Sequence, residues 1–142
     1  MSPDLLAALV GAAREAFDGR VILAAYVYGS RVSGRPRPES DLDVGYYLDH
    51  HRTRAVLPAG EEMRLANRLA EAVGFEVDLR NLAEAPLDLR GRILEEGVRI
   101  YSGDAAARVA LERDLLARYH DYKAEFEQMH AMRLRARAAR SR

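Results

Sequence analysis

A continuous apolar run, Val21 to Tyr28, ends on a glycine–serine pair, Gly29 and Ser30, and ten residues later the chain resumes with Asp41-Leu42-Asp43 and a second run through Leu48. No other stretch constrains the fold as tightly. An unbroken apolar segment bounded by turn residues reads as a strand covered on both faces, central in a sheet. The second segment alternates, with Leu42, Val44, Tyr46 and Leu48 on one side and Asp41, Asp43, Gly45 and Tyr47 on the other, which is the period of a strand. Carboxylates two apart on a strand project from the same face, their Cα atoms roughly 6.5–7 Å apart. Both can reach a shared divalent cation. A small glycine turn facing paired carboxylates is what metal-dependent phosphate chemistry needs.

Composition narrows the classes that remain. At 142 residues the chain is expected to form one domain with a real core. Apolar residues make up 49 % and charged residues 31 %, the profile of a globular protein rather than a disordered one. Basic and acidic residues balance, 22 against 22, so nothing global points to nucleic acid or an acidic membrane as partner. The absence of cysteine excludes disulfides, thiolate metal sites and cysteine nucleophiles. The start, Ser2-Pro3-Asp4, lacks a basic segment, and the apolar runs fall far short of about 20 residues. No signal peptide or membrane span is expected, and a cytoplasmic location follows as the expectation.

The rest of the chain supplies elements around the two strands. Ser2 as N-cap, Pro3 in the first turn and Asp4 after it predict a helix. Its apolar stripe is Leu5, Leu6, Leu9, Val10, Ala13 and Phe17, and Asp18-Gly19 ends it. Residues 31 to 40, with Gly34, Pro36 and Pro38, read as a helical turn and a mobile loop carrying Arg31, Arg35 and Arg37. A polar connector follows from Asp49 to Leu57. Residues 58 to 73 predict an amphipathic helix with Met63, Leu65, Ala66, Leu69 and Val73 inward and Gly74 as its stop. Phe75 to Leu82 reads as a third strand with Phe75, Val77 and Leu79 on the core side, so Asp78 and Arg80 face the other way. A short helix, Pro86 to Glu96, and a short strand, Val98 to Tyr101, come next. From about Asp104 a single helix of some 30 residues, about 45 Å long, carries Leu111, Leu115, Tyr119, Tyr122, Phe126 and Met129 on one stripe. That exceeds what a domain of this size can cover, so its outer half is expected to meet another chain. The order predicts a small α/β (α+β) layer, a mixed sheet with helices on one side. Residues 1–103 form the body and residues 104–142 a C-terminal helix ending in Arg133, Arg135, Arg137, Arg140 and Arg142.

Asp41 and Asp43 on one strand and Asp78 on another form the candidate site. If the strands are neighbours, three clustered acids raise each other's pKa unless a cation lies among them. Mg²⁺ suits such a site, shared between carboxylates and a substrate's phosphates, and two ions could clamp an in-line displacement. Gly29 and Ser30 offer backbone N–H groups and a hydroxyl to phosphate oxygens. Each residue also has an ordinary reading. The paired acids could be solvated at a strand edge, Asp78 could pair with Arg80 or Arg31, Gly29 could serve a plain turn, and the arginine loop could be solvated rather than gripping a triphosphate. His50, His51, His120 and His130 have no spacing that makes a metal site, and the arginine-rich end fits an acidic partner better than RNA.

Gly29-Ser30, ten residues, Asp41-Leu42-Asp43 and a later Asp78 resemble the minimal nucleotidyltransferases of the polymerase-β-type superfamily. Within it the chain is most similar to the MNT antitoxins that pair with HEPN toxins. The likeness spans about residues 21 to 101 and implies a polymerase-β-like nucleotidyltransferase fold. It implies that Gly29, Ser30 and Arg31 bind the nucleotide, that Asp41, Asp43 and Asp78 bind Mg²⁺, and that Asp78 is either a ligand or the acceptor of the nucleophile's proton. It further implies transfer of AMP from ATP to a tyrosine hydroxyl of a partner toxin, which silences it. The chain length agrees, since no residues are left over for a separate acceptor-binding domain. Two alternatives remain at this level: a nucleotidyltransferase acting on a small molecule such as an aminoglycoside, and a non-catalytic antitoxin that acts by binding alone.

Overall fold

The computed structural model describes residues 1–29, 32 and 41–141. Eight elements follow in chain order: α1 (Pro3–Phe17), β1 (Ile22–Tyr28), β2 (Leu42–Leu48), α2 (Ala59–Val73), β3 (Val77–Asn81), α3 (Leu87–Glu96), β4 (Val98–Ser102) and α4 (Ala105–Arg140). The sheet runs β3-β2-β1-β4. β1 is antiparallel to both β2 and β4, whereas β2 and β3 are parallel, with α2 forming the crossover that a parallel pair requires.

Local chemistry sets the boundaries. At the start of α1 the Leu5 N–H donates to Ser2 Oγ at 3.2 Å, which satisfies one of the donors a helix start leaves open. Asp104 plays the same part for α4, accepting from Ala107 N–H at 3.1 Å. α2 stops at Gly74, whose φ of 77° is the left-handed conformation that closes a helix.

The helices do not share one side of the sheet, as the sequence had suggested. On one face α1 and α2 bury Leu9, Phe17, Leu65 and Leu69 against Val27, Leu42, Val44, Tyr46 and Leu48. On the other, α3 and α4 bring Ile93 and Leu115 against Leu23, Tyr26, Tyr47 and Leu82. β1 is apolar throughout because both layers press on it, while β2 alternates because its second face is covered only in part.

Three further expectations are corrected. Met63 is 67 % exposed: it lies two residues from buried Leu65, a rotation of about 200° on a helix of 3.6 residues per turn. Phe75 precedes β3 and is exposed rather than on the core side. α4 is 36 residues long, about 54 Å by its rise per residue. Only its inner half is held, through buried Leu115 and Tyr119, with the Tyr119 ring occupying the space a side chain on Gly91 of α3 would fill. Tyr122, Phe126, Met129, Met132 and Leu134 are exposed along the outer half.

Candidate active site

The second face of the sheet changes character along β2. Tyr47 is packed beneath α3 and α4, Gly45 makes room for Leu82, and beyond them Asp43 emerges at the end the helices do not cover. Asp43 pairs with Tyr28 across β1 and with Asp78 across β3. Paired residues share a face, on strands roughly 4.8 Å apart. Tyr28, Asp43 and Asp78 therefore form one row across three strands. The next row carries Tyr26, Gly45 and Arg80.

Gly29 closes the row. Its φ is 89°, and a Cβ there would lie 2.5 Å from Asp43 Oδ2. The backbone conformation demands glycine, and a Cβ would also displace the Asp43 carboxylate. A phosphate oxygen approaching the bare backbone of this turn therefore meets the Asp43 carboxylate at once.

Burial, with help from the neighbouring charges of Asp78 and Asp41, raises the pKa of Asp43, against the opposing pull of Arg80. The Tyr28 hydroxyl is also raised, mainly by burial and further by Asp43 and Asp78, again with Arg80 opposing. Asp78 makes no ion pair among the described residues, so it is not neutralised by Arg80. The negative charge of this row is offset only in part by Arg80, and a cation would relieve the rest.

Asp41 lies just outside β2, exposed, in the residue before the strand. The three acids are not drawn into a closed ligand set: among the described residues no group of three His, Asp or Glu side chains is arranged to hold a metal ion. Two adjacent carboxylates still fit Mg²⁺, which keeps several waters and takes the rest of its shell from substrate phosphates. Ser30, Arg31, Arg35 and Arg37 fall outside the described residues. Of the histidines, His120 contacts Glu95 at 3.5 Å and His130 stacks on Phe126. Neither is near the acidic row.

Sequence reasoning passed over two members of this neighbourhood. Tyr28 was read only as the end of a strand, and Arg80 only as a possible partner for Asp78. The signal for Arg80 was its spacing of two from Asp78, which puts both on one face. Tyr28 could not be found without the register between β1 and β2.

The family profile described as "Polymerase beta, Nucleotidyltransferase" matches residues 14–106. The chain belongs to the polymerase beta nucleotidyltransferase family, and its fold is the polymerase-β-like nucleotidyltransferase fold. Among solved structures it is similar to a chain of a toxin–antitoxin complex with AMP-PNP, at 19 % identity, 91 % of this chain and 98 % of that one covered, and a TM-score of 0.62. It is similar as well to a chain of the MntA–HepT toxin–antitoxin complex, at 16 % identity, coverage of 94 % and 99 %, and a TM-score of 0.58. A third is a chain from the complex of a tri-AMPylated Shewanella oneidensis HEPN toxin with an MNT antitoxin, at 17 % identity, coverage of 94 % and 99 %, and a TM-score of 0.59. At these identities the likeness is one of fold. No curated protein matches the sequence. No helix among the described residues is long and apolar enough to cross a membrane.

Proposed function

We propose that this chain is the antitoxin of a toxin–antitoxin pair and works as a cytoplasmic, Mg²⁺-dependent protein adenylyltransferase, moving AMP from ATP to a tyrosine hydroxyl of a HEPN-type toxin. The observation that carries the reading is Asp43 beside Asp78 in parallel register, against a positive-φ glycine at the end of β1. The similarity in fold to chains of toxin–antitoxin complexes, one with AMP-PNP and one with a tri-AMPylated toxin, supports it.

In this reading the backbone of Gly29, with Ser30 and Arg31, binds the triphosphate, and Asp41, Asp43 and Asp78 hold the metal. A Mg²⁺ ion held by these residues would supply charge neutralisation to the phosphates and the departing pyrophosphate. The tyrosine oxygen attacks the α-phosphorus, the bond to the β-phosphate bridging oxygen breaks, and pyrophosphate departs. As an alternative to serving as a ligand, the exposed Asp78 would take the hydroxyl proton. The half-buried Tyr28 side chain beside Asp43 restricts water on that side, which strengthens charge interactions there. Residues 1–103 carry this chemistry, and the exposed outer half of α4, within residues 104–142, contacts the toxin.

Co-expression with the small helical protein of the neighbouring reading frame, followed by intact-mass measurement of that partner, tests the proposal. Mass increments of AMP mapped to tyrosine are expected, and they should vanish with Asp41→Asn/Asp43→Asn. A tight complex with an unmodified partner would replace the enzymatic reading with inhibition by binding alone.

A further inference from the structure

Beside the Gly29 turn lies a cleft of about 280 Å³ whose walls are Tyr28, Gly29 and Val32 on one side and Leu89, Arg92, Ile93, Glu96 and Gly97 on the other. Its chemistry is mostly apolar with one acid and one base, the make-up of a site that holds a flat ring and reads its edge. The walls are fixed. At Gly97 a Cβ would lie 2.5 Å from the Ile93 carbonyl oxygen and 2.9 Å from that of Val27, so the end of α3 is pressed onto β1 two residues before Gly29.

Glu96, like Arg92, is solvent-exposed and lines the cleft. It is the last residue of α3, which has no basic residue in its final turn, and a negative charge at a helix C-terminus is unfavourable. Its neighbour Glu95 contacts His120, whereas neither Glu96 nor Arg92 forms an ion pair or side-chain hydrogen bond among the described residues. Both face the cleft unengaged.

Resting on the nucleotidyl-transfer reading, we infer that this cleft seats the nucleobase of the donor nucleotide, that the base is adenine, and that Glu96 is the residue selecting it. Tyr28, Leu89 and Ile93 pack against the ring. The Glu96 carboxylate accepts from the 6-amino group, and the Arg92 guanidinium donates to an adjacent ring nitrogen. A 6-oxo purine sets an oxygen against the carboxylate and is disfavoured by repulsion as well as by the lost bond. A triphosphate tail does not suit the same space, because Glu96 would repel it.

The test is titration calorimetry of the full chain with Mg²⁺ and the α,β-methylene analogues of ATP and ITP, which bind without turning over. The wild type should prefer the adenine analogue by about tenfold or more, the usual scale for one hydrogen bond to a charged group. Glu96→Ala should erase that preference, and Glu96→Gln, which keeps an acceptor oxygen, should restore part of it, with melting curves showing all three folded. Binding of both analogues with a preference that Glu96→Ala leaves unchanged would overturn the base subsite alone. Equal tightening of both analogues in Glu96→Ala would overturn it in favour of phosphates in the cleft. No binding of either analogue to the wild type would overturn the nucleotidyl-transfer reading and the subsite together.

Discussion

The two faces of the sheet are built from the same four strands and meet different fates. The face under α1 and α2 is sealed: Leu42, Val44, Tyr46 and Leu48 of β2 are all buried against Leu65, Leu69, Leu9 and Phe17. Its polar tips are accommodated, since the Tyr46 hydroxyl donates to Glu62 Oε2 at 2.6 Å and the Tyr101 hydroxyl to Asp18 Oδ1 at 3.3 Å. The opposite face begins as core around Tyr26 and Tyr47 and ends as chemistry at Asp43 and Asp78. The difference lies in the covering layer. α3 reaches the Gly29 end only on the β1 side, where it walls a cleft, and beside it the alternate positions of β2 turn from apolar to acidic. The sealed face carries the apolar core, and the candidate site lies where apolar cover gives way to acids.

That contrast can be broken from either side. The largest effect is expected from Asp41→Asn/Asp43→Asn on the open face, which should lower AMP transfer to a toxin by roughly a thousandfold or more, on the scale of losing a metal's electrostatic contribution. Its melting temperature should be equal or slightly higher, because burial and Asp78 disfavour the charge on Asp43. A large loss of stability instead would show that the acids are structural. On the sealed face, Leu69→Ala should cost about 2–5 kcal/mol in denaturant unfolding. Its remaining folded fraction should transfer AMP normally. Gly29→Ala lies on the border between the two regimes. Strain at a φ of 89° should cost about 1–3 kcal/mol, and crowding of the Asp43 carboxylate should depress transfer by more than the stability change explains. Smallest of all, Phe126→Ser on the exposed part of α4 should shift stability by no more than about 0.5 kcal/mol. A greater shift measured for the chain alone would show that α4 folds back on the body.

Much of this organisation was legible in the sequence. The cap at Ser2, the start of the last helix near Asp104, the stop at Gly74 and the period-two pattern of β2 are local signals, and each falls within a residue or so of the observed boundary. The adjacency of Asp43 and Asp78 was inferred only conditionally, because it depends on which strands neighbour each other. Periodicity tells which face of a strand is apolar but not how many layers cover it, hence the misreading of helices on one side. The inward placement of Met63 failed for a simpler reason: hydrophobicity was weighed without its angle around the helix. The cleft beside Gly29 was invisible, since α3 reaches β1 only through the folded packing at Gly97.

The parallel pairing of β2 with β3 has a consequence for when the protein becomes competent. Asp43 and Asp78 are separated in the chain by the whole of α2 and become neighbours only when the crossover has closed and β3 has docked. Such non-local strand pairing is intrinsically slow, since the ends of a long loop must meet before any contact rewards them. A nascent or half-folded chain therefore carries scattered acids and no reaction centre. The register of a single strand pair thus reports, in the position of two acids, that folding is complete.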